Sequence, residues 1–144
     1  MIHFSFPPLF VVKDGIHGLG VFVCEDIKKD TVLFQLKGPI IQNPTRTSIE
    51  IGKNKHIEDP IGAHINHNCT PNTKVQNKTQ SFVSLRNIKK GEEITFDYNK
   101  NETTMASPFS CHCCGKEIKG RAKVVMSFST LQILLNPPLA EGED

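Results

Sequence analysis

Apolar residues in this chain fall in short runs closed by turn residues, not at helical spacing. "LFVVK", "GVFVC", "TVLFQL", "SIEI", "SFVSL" and "EEITF" read as strands, with Gly, Pro, Asn or Asp between them. Helical signals gather late, around Thr130 to Asn136, where Ser129 is placed to cap the N-terminus and Pro137 to end the helix. The pattern predicts a mostly β domain of small sheets with few short helices. It also repeats itself once. "FVCEDIKKDTVLF" from Phe22 and "FVSLRNIKKGEEITF" from Phe82 share Phe-Val, then Asp or Asn, then Ile-Lys-Lys and a turn residue before the next strand. The expected device is a strand that leaves the core, an Ile that tucks back, and a tight reversal.

Composition adds boundaries. At 144 residues and 38% hydrophobic, the chain is the size of one domain able to bury a core. A formal charge of +2 gives no electrostatic case for a direct nucleic-acid partner. "MIHFSFPPLFVVK" lacks a cationic leader, and the apolar stretch from Val124 to Leu135 is too short and too interrupted to span a bilayer. The expectation is an intracellular, cytoplasmic setting without membrane contact. In that setting the five cysteines stay reduced, and the sequons at Asn68, Asn77 and Asn101 are chance matches. "NKNETTMASP", from Asn99 to Pro108, reads as an exposed loop ahead of the Cys-rich "SCHCCGKEIKG".

Three stretches carry candidate chemistry. In "HGLGVF", Gly18 and Gly20 flank Leu19 before a strand; a dinucleotide site would place them after one and needs a third glycine where Val23 stands. Two such glycines still let a ligand approach the backbone. "INHNCTPNT" crowds three Asn, a His, a Cys and a Pro into nine positions, more polar function than a plain turn needs. "GEEITFDY" sets the chain's one tyrosine, Tyr98, just past a strand.

In this order the set resembles the SET-domain protein lysine methyltransferases, over about Asp14 to Arg121. The family's centre usually reads N-H-S-C-x-P-N, and "NHNCTPN" departs from it only at Asn68. The resemblance implies a fold of small curled β-sheets with a C-terminal pseudoknot. It implies a catalytic domain over residues 1–104, a post-SET-like Cys segment over 105–136 and an acidic tail over 137–144. It also implies S-adenosylmethionine as cofactor, with Gly18, Leu19, Gly20, Asn66, His67 and Tyr98 around it. Tyr98 matches the catalytic tyrosine, and Phe96 the position where the family uses Phe or Tyr. The substrate would be a lysine-containing protein, a histone or another, acted on by a monomer or homodimer. The insert between Gly38 and Gly62 would form much of its groove.

Two departures qualify the match. Ala63 stands where many members have Arg. In the tail, Cys111 and Cys113 can join Cys69 as zinc ligands, but Ile118 occupies the place of the usual third tail cysteine, leaving Cys114 or His112 to complete four. These departures keep open a second reading, a catalytically weak or inactive module of the same fold that only binds protein.

Overall fold

A computed structural model describes residues 9–121. The helix expected at Thr130 to Asn136 and the acidic tail lie outside them. In chain order the strands are β1 (Phe10–Gly15), β2 (Gly18–Val23), β3 (Val32–Gln35), β4 (Ile40–Ile41), β5 (Ile49–Gly52) and β6 (Lys55–Ile57). After a 3₁₀ turn at Gly62–His64 come β7 (Asn66–His67), β8 (Thr73–Gln76), β9 (Ser81–Ser84) and β10 (Glu93–Phe96). A single helical turn, α1 (Tyr98–Asn101), precedes the small hairpin β11 (Phe109–Ser110) and β12 (Glu117–Ile118). Every run read as a strand is one, and four small sheets result: β1-β2-β10-β7, β3-β9-β8, β4-β6-β5 and β11-β12.

The repeated Ile-Lys-Lys device proves to be one clasp whose halves hold each other. Ile27 and Ile88 exchange backbone hydrogen bonds of 2.7 and 2.8 Å, and both side chains are buried. Asn87 Oδ1 accepts the Lys29 amide at 2.9 Å, and Asp26 Oδ1 accepts the Lys90 amide at 2.8 Å. The residue before each Ile thus caps the opposite turn. Asp30 (φ 64°) and Gly91 (φ 88°) hold the left-handed position of the two reversals, which glycine adopts freely and Asp tolerates. The clasp sets the β2–β10 pairing, which carries Val21 against Ile94 in the core.

β10 has a second neighbour. It pairs in parallel with β7, Thr95 beside Asn66 and Phe96 beside His67, so segments some thirty residues apart in sequence run side by side. An aromatic file links core to surface through Phe10, Phe34, Phe82, Phe96 and Tyr98, with successive ring centroids 5.0, 5.3, 5.2 and 4.6 Å apart. The insert is closed by Asp59, whose buried carboxylate accepts the backbone amides of Lys37, Ile61 and Gly62 at 2.7–2.8 Å. The stretch from Asn99 to Pro108 is largely the expected exposed loop after Glu102, but its start differs. Asp97 accepts the Asn99 amide at 2.9 Å and starts α1, and Glu102 directly after the turn is buried. Its polar composition hid a cap and an anchored carboxyl.

Candidate active site

Tyr98 opens the helical turn at the end of β10, so its ring is aimed back at β7. Its backbone N–H donates to His67 Nδ1 at 3.0 Å, and its hydroxyl donates to the Ile65 carbonyl. Burial, reinforced by the Glu102 and Glu93 carboxylates, holds the phenol's pKa well above its ordinary value. It therefore stays protonated at neutral pH, as a hydrogen-bond donor to Ile65 with lone pairs to spare. Phe96 and Tyr98, with Ile65, Ala63 and Glu102, line one side of a cavity of about 30 Å³, and residues 44–49 of the insert line the other. A space near the volume of one water suits a slender chain, not a bulky group.

Asn66, the next residue after the cavity-lining Ile65, faces the glycines. Asn66 Nδ2 donates to the Leu19 carbonyl at 3.0 Å and to Glu93 Oε2 at 2.7 Å. A Cβ on Gly20 would collide with the Glu93 carboxylate and lie 3.2 Å from Asn66 Nδ2, so only glycine leaves room for this cluster. Leu19, half exposed, forms its outer rim.

His67 is a pin. Burial lowers its pKa despite Asp97 at 3.8 Å, and Lys116 lowers it further. With Nδ1 accepting from Tyr98, the neutral ring carries its proton on Nε2, 3.4 Å from Cys69 Sγ. The Asp97 contact is then a nearby charge and not an ion pair. Cys69 Sγ lies 3.5 Å from Cys111 Sγ and 3.3 Å from Cys114 Sγ, and Cys113 Sγ is 2.9 Å from Cys111 Sγ. The four sulfurs all fall within 4.8 Å of one another. The Cys113 thiol, donating to Cys111, does most to lower the latter's pKa to about 6, while hydrogen bonds to Cys114 and Cys111 raise that of Cys69. Cys111 is thus the thiol of the cluster whose surroundings favour the thiolate, the state in which sulfur binds metal.

The sequence pattern of the SET domain matches residues 18–99, more than half of the chain. The chain belongs to the SET domain family. It is 27% identical to Histone-lysine N-methyltransferase 2D of Homo sapiens over 129 residues, 73% of this chain and 2% of that protein. It is 28% identical over 114 residues to the Histone-lysine N-methyltransferase, H3 lysine-36 specific, of Mycosarcoma maydis, covering 62% of this chain and 12% of that one. The Histone-lysine N-methyltransferase, H3 lysine-4 specific, of Chaetomium globosum is 24% identical over 142 residues, with shares of 78% and 13%. The chain spans a small part of the length of these relatives.

This SET domain gathers Asn66, His67, Phe96 and Tyr98 through the β7–β10 pair, and sets Leu19 and Gly20 against Asn66. Cys69, Cys111 and Cys113 meet as expected, and Cys114 joins them. His112 instead stacks on His17 at 4.6 Å, and Ile118 is wholly buried, paired with Phe109 in the small hairpin. The sequence left the fourth position open between Cys114 and His112, since side chains next to one another in the chain, such as Cys113 and Cys114, tend to diverge. The turn at Cys111–Gly115, closed by the Gly115 amide on the Cys111 carbonyl at 2.8 Å, lets them converge. Sequence reasoning missed Glu93 and Glu102 altogether, one in a strand and one in an apparent loop, where carboxylates are commonplace.

Proposed function

We propose that this SET domain is an S-adenosylmethionine-dependent protein-lysine N-methyltransferase. The observation that carries the reading is the placement of Tyr98, bonded to Ile65 and His67 on either side of Asn66, at the wall of a narrow cavity. The Leu19 carbonyl, the Glu93 carboxylate and Asn66 form an acceptor-rich cradle beside Gly20, fitted to an ammonium group such as that of the cofactor's methionine end. When bound, the cofactor supplies a methyl group on a positively charged sulfur.

The chain's own task is to deliver a neutral amine in line. A free lysine has a pKa of about 10.4, so presenting it uncharged at pH 7 costs roughly 4.6 kcal/mol. A dry, tight cavity lowers that pKa by desolvating the ammonium. With its proton committed to Ile65, the Tyr98 oxygen can accept an N–H from the amine and orient its lone pair, and such positioning supplies much of the remaining acceleration. Phe96 brings no hydroxyl to hold a space-filling water, so the cavity accepts a partly methylated amine. Wild-type protein is expected to proceed past monomethylation, and Phe96→Tyr to shift products toward monomethyl lysine in mass spectra; exclusive monomethylation by wild type under exhaustive turnover contradicts this.

The four thiols fit a zinc ion. The S–S edge of a tetrahedral zinc–thiolate site is about 3.8 Å, a small spread from the 2.9–3.5 Å separations present. Cys69, Cys111, Cys113 and Cys114 would hold it, cross-linking the tail to the loop after His67. The relatives' names point to histone lysines as the substrate class. Incubation with labelled S-adenosylmethionine, histones and a cell lysate, followed by mass mapping of methylated lysines, tests the proposal against Tyr98→Phe. Cofactor binding with no transfer to any lysine would support the binding-module reading, which Ala63 favours.

A further inference from the structure

Glu102 belongs to a second cluster, away from the thiols. Glu50 on β5, His56 on β6 and Glu102 are each 5% exposed, and one ligand atom from each lies within 4.8 Å of the others. Glu50 and His56 are direct cross-strand partners, so their side chains leave the same face of the β5–β6 hairpin. Their surroundings fix the carboxylates. Glu50 accepts the Thr103 amide at 2.6 Å, the Thr103 hydroxyl at 2.8 Å and Arg121 Nη2 at 3.2 Å. Glu102 Oε2 accepts the Glu50 amide at 2.9 Å and Asn101 Nδ2 at 2.7 Å.

The imidazole is the exception. His56 Nδ1 is buried and has no hydrogen-bond partner among the described residues. Leaving such a nitrogen unpaired costs about 1–3 kcal/mol, and a native structure that tolerates it calls for a reason. Beside it lies a cavity of about 440 Å³, lined by Glu50, His56, Asn54, Thr103 and Arg121 among others, through which a small solute can reach the cluster.

We propose that Glu50, His56 and Glu102 form a second metal site, separate from the cysteines, that takes a divalent transition-metal ion of the zinc class. One imidazole and two carboxylates match the ligand preferences of such ions. Calcium and magnesium want six or more oxygens in a shell that two carboxylates do not supply. A soft thiophilic ion would go to the sulfurs. The ion gives His56 its missing partner and neutralises two buried carboxyl groups, one of which, Glu102, is raised to about pKa 7 chiefly by burial. The hydrogen bonds to Thr103, Arg121 and Asn101 orient the ligands before the metal arrives, as supporting groups do in metal sites. Since β5 and β6 come from the insert and Glu102 also lines the Tyr98 cavity, the ion would tie two walls of that cavity together.

Titration of the full chain with Co²⁺ alone, followed by visible and near-ultraviolet absorption, tests this without any activity measurement. The expected result is one equivalent of bound cobalt with weak d–d bands and no thiolate charge transfer, beside any intense thiolate-type spectrum from the cysteines. His56→Phe should lose the weak-band equivalent and keep the thiolate spectrum, and Glu102→Gln should weaken that equivalent tenfold or more. The proposal is overturned if all cobalt bound by wild type shows thiolate charge transfer, if none binds, or if His56→Phe retains the same equivalent. The wild-type titration decides the matter even if the variants fail to fold.

Discussion

Two ligand-rich clusters adjoin Tyr98, and they are built differently. The thiols reach it through His67, whose Nδ1 receives the tyrosine amide and whose Nε2 meets Cys69. The second cluster reaches it through Glu102, which lines the Tyr98 cavity, while Glu50 and His56 face a separate cavity. Its His56 Nδ1 has no hydrogen-bond partner among the described residues. The first cluster hangs its sulfurs on a tight turn near the protein surface. The second is buried, and its carboxylates are fixed from behind by backbone amides and an arginine. The difference teaches that a cross-link holding the tail can stand at the edge of the fold, whereas a cluster inside it must either hold a proton or find a cation.

The largest effect is expected at the thiols. Structural zinc contributes folding energy directly, so Cys69→Ser should cost about 3 kcal/mol or more, lowering the melting temperature by roughly 10 °C. A chelator should reproduce that loss in wild type and have a smaller effect on the variant, which keeps only the Glu50, His56 and Glu102 cluster. Thermal melts showing no loss from either treatment would remove the structural difference between the clusters.

Next comes the pH dependence of the buried carboxyl. Glu102 has its pKa raised in the fold to about 7 from an ordinary 4.5. The folded chain therefore holds a proton that the unfolded chain releases between those values. The stabilisation is present below 4.5 and is lost as pH rises through about 7. In chelator-treated protein this slope is worth on the order of 2 kcal/mol, and Glu102→Gln should flatten it. Identical slopes in melts of the two proteins between pH 5 and 8 would show that the cluster holds no such proton.

The smallest effect belongs to Arg121. Its guanidinium is half exposed, so water can take its place, and Arg121→Ala should cost about 1 kcal/mol or less in chemical denaturation. A loss as large as that at Cys69 would mean that the buried carboxylates depend on this cation and not on the backbone amides.

Sequence made some of this legible and hid the rest for physical reasons. Alternation marked the long strands, and the repeated Ile-Lys-Lys pattern marked the clasp, because both are local. The β7 pairing was invisible, since two residues carry no periodicity and their partner lies far along the chain. Asn66, His67 and Tyr98 could be read together only because a rare ordered set of motifs names a family. Cys114 depended on a turn that composition does not specify. Glu50, His56 and Glu102 carry no motif, and only the fold shows that they share one buried space.

Everything converges on the Tyr98 hydroxyl, and single-turnover methyl transfer at saturating S-adenosylmethionine tests it most directly. Tyr98→Phe is predicted to keep cofactor affinity within a few-fold of wild type while transfer to lysine falls roughly a hundredfold, the scale of removing one oriented hydrogen-bonding group from a reaction centre. Transfer by the Phe variant at the wild-type rate would contradict the account.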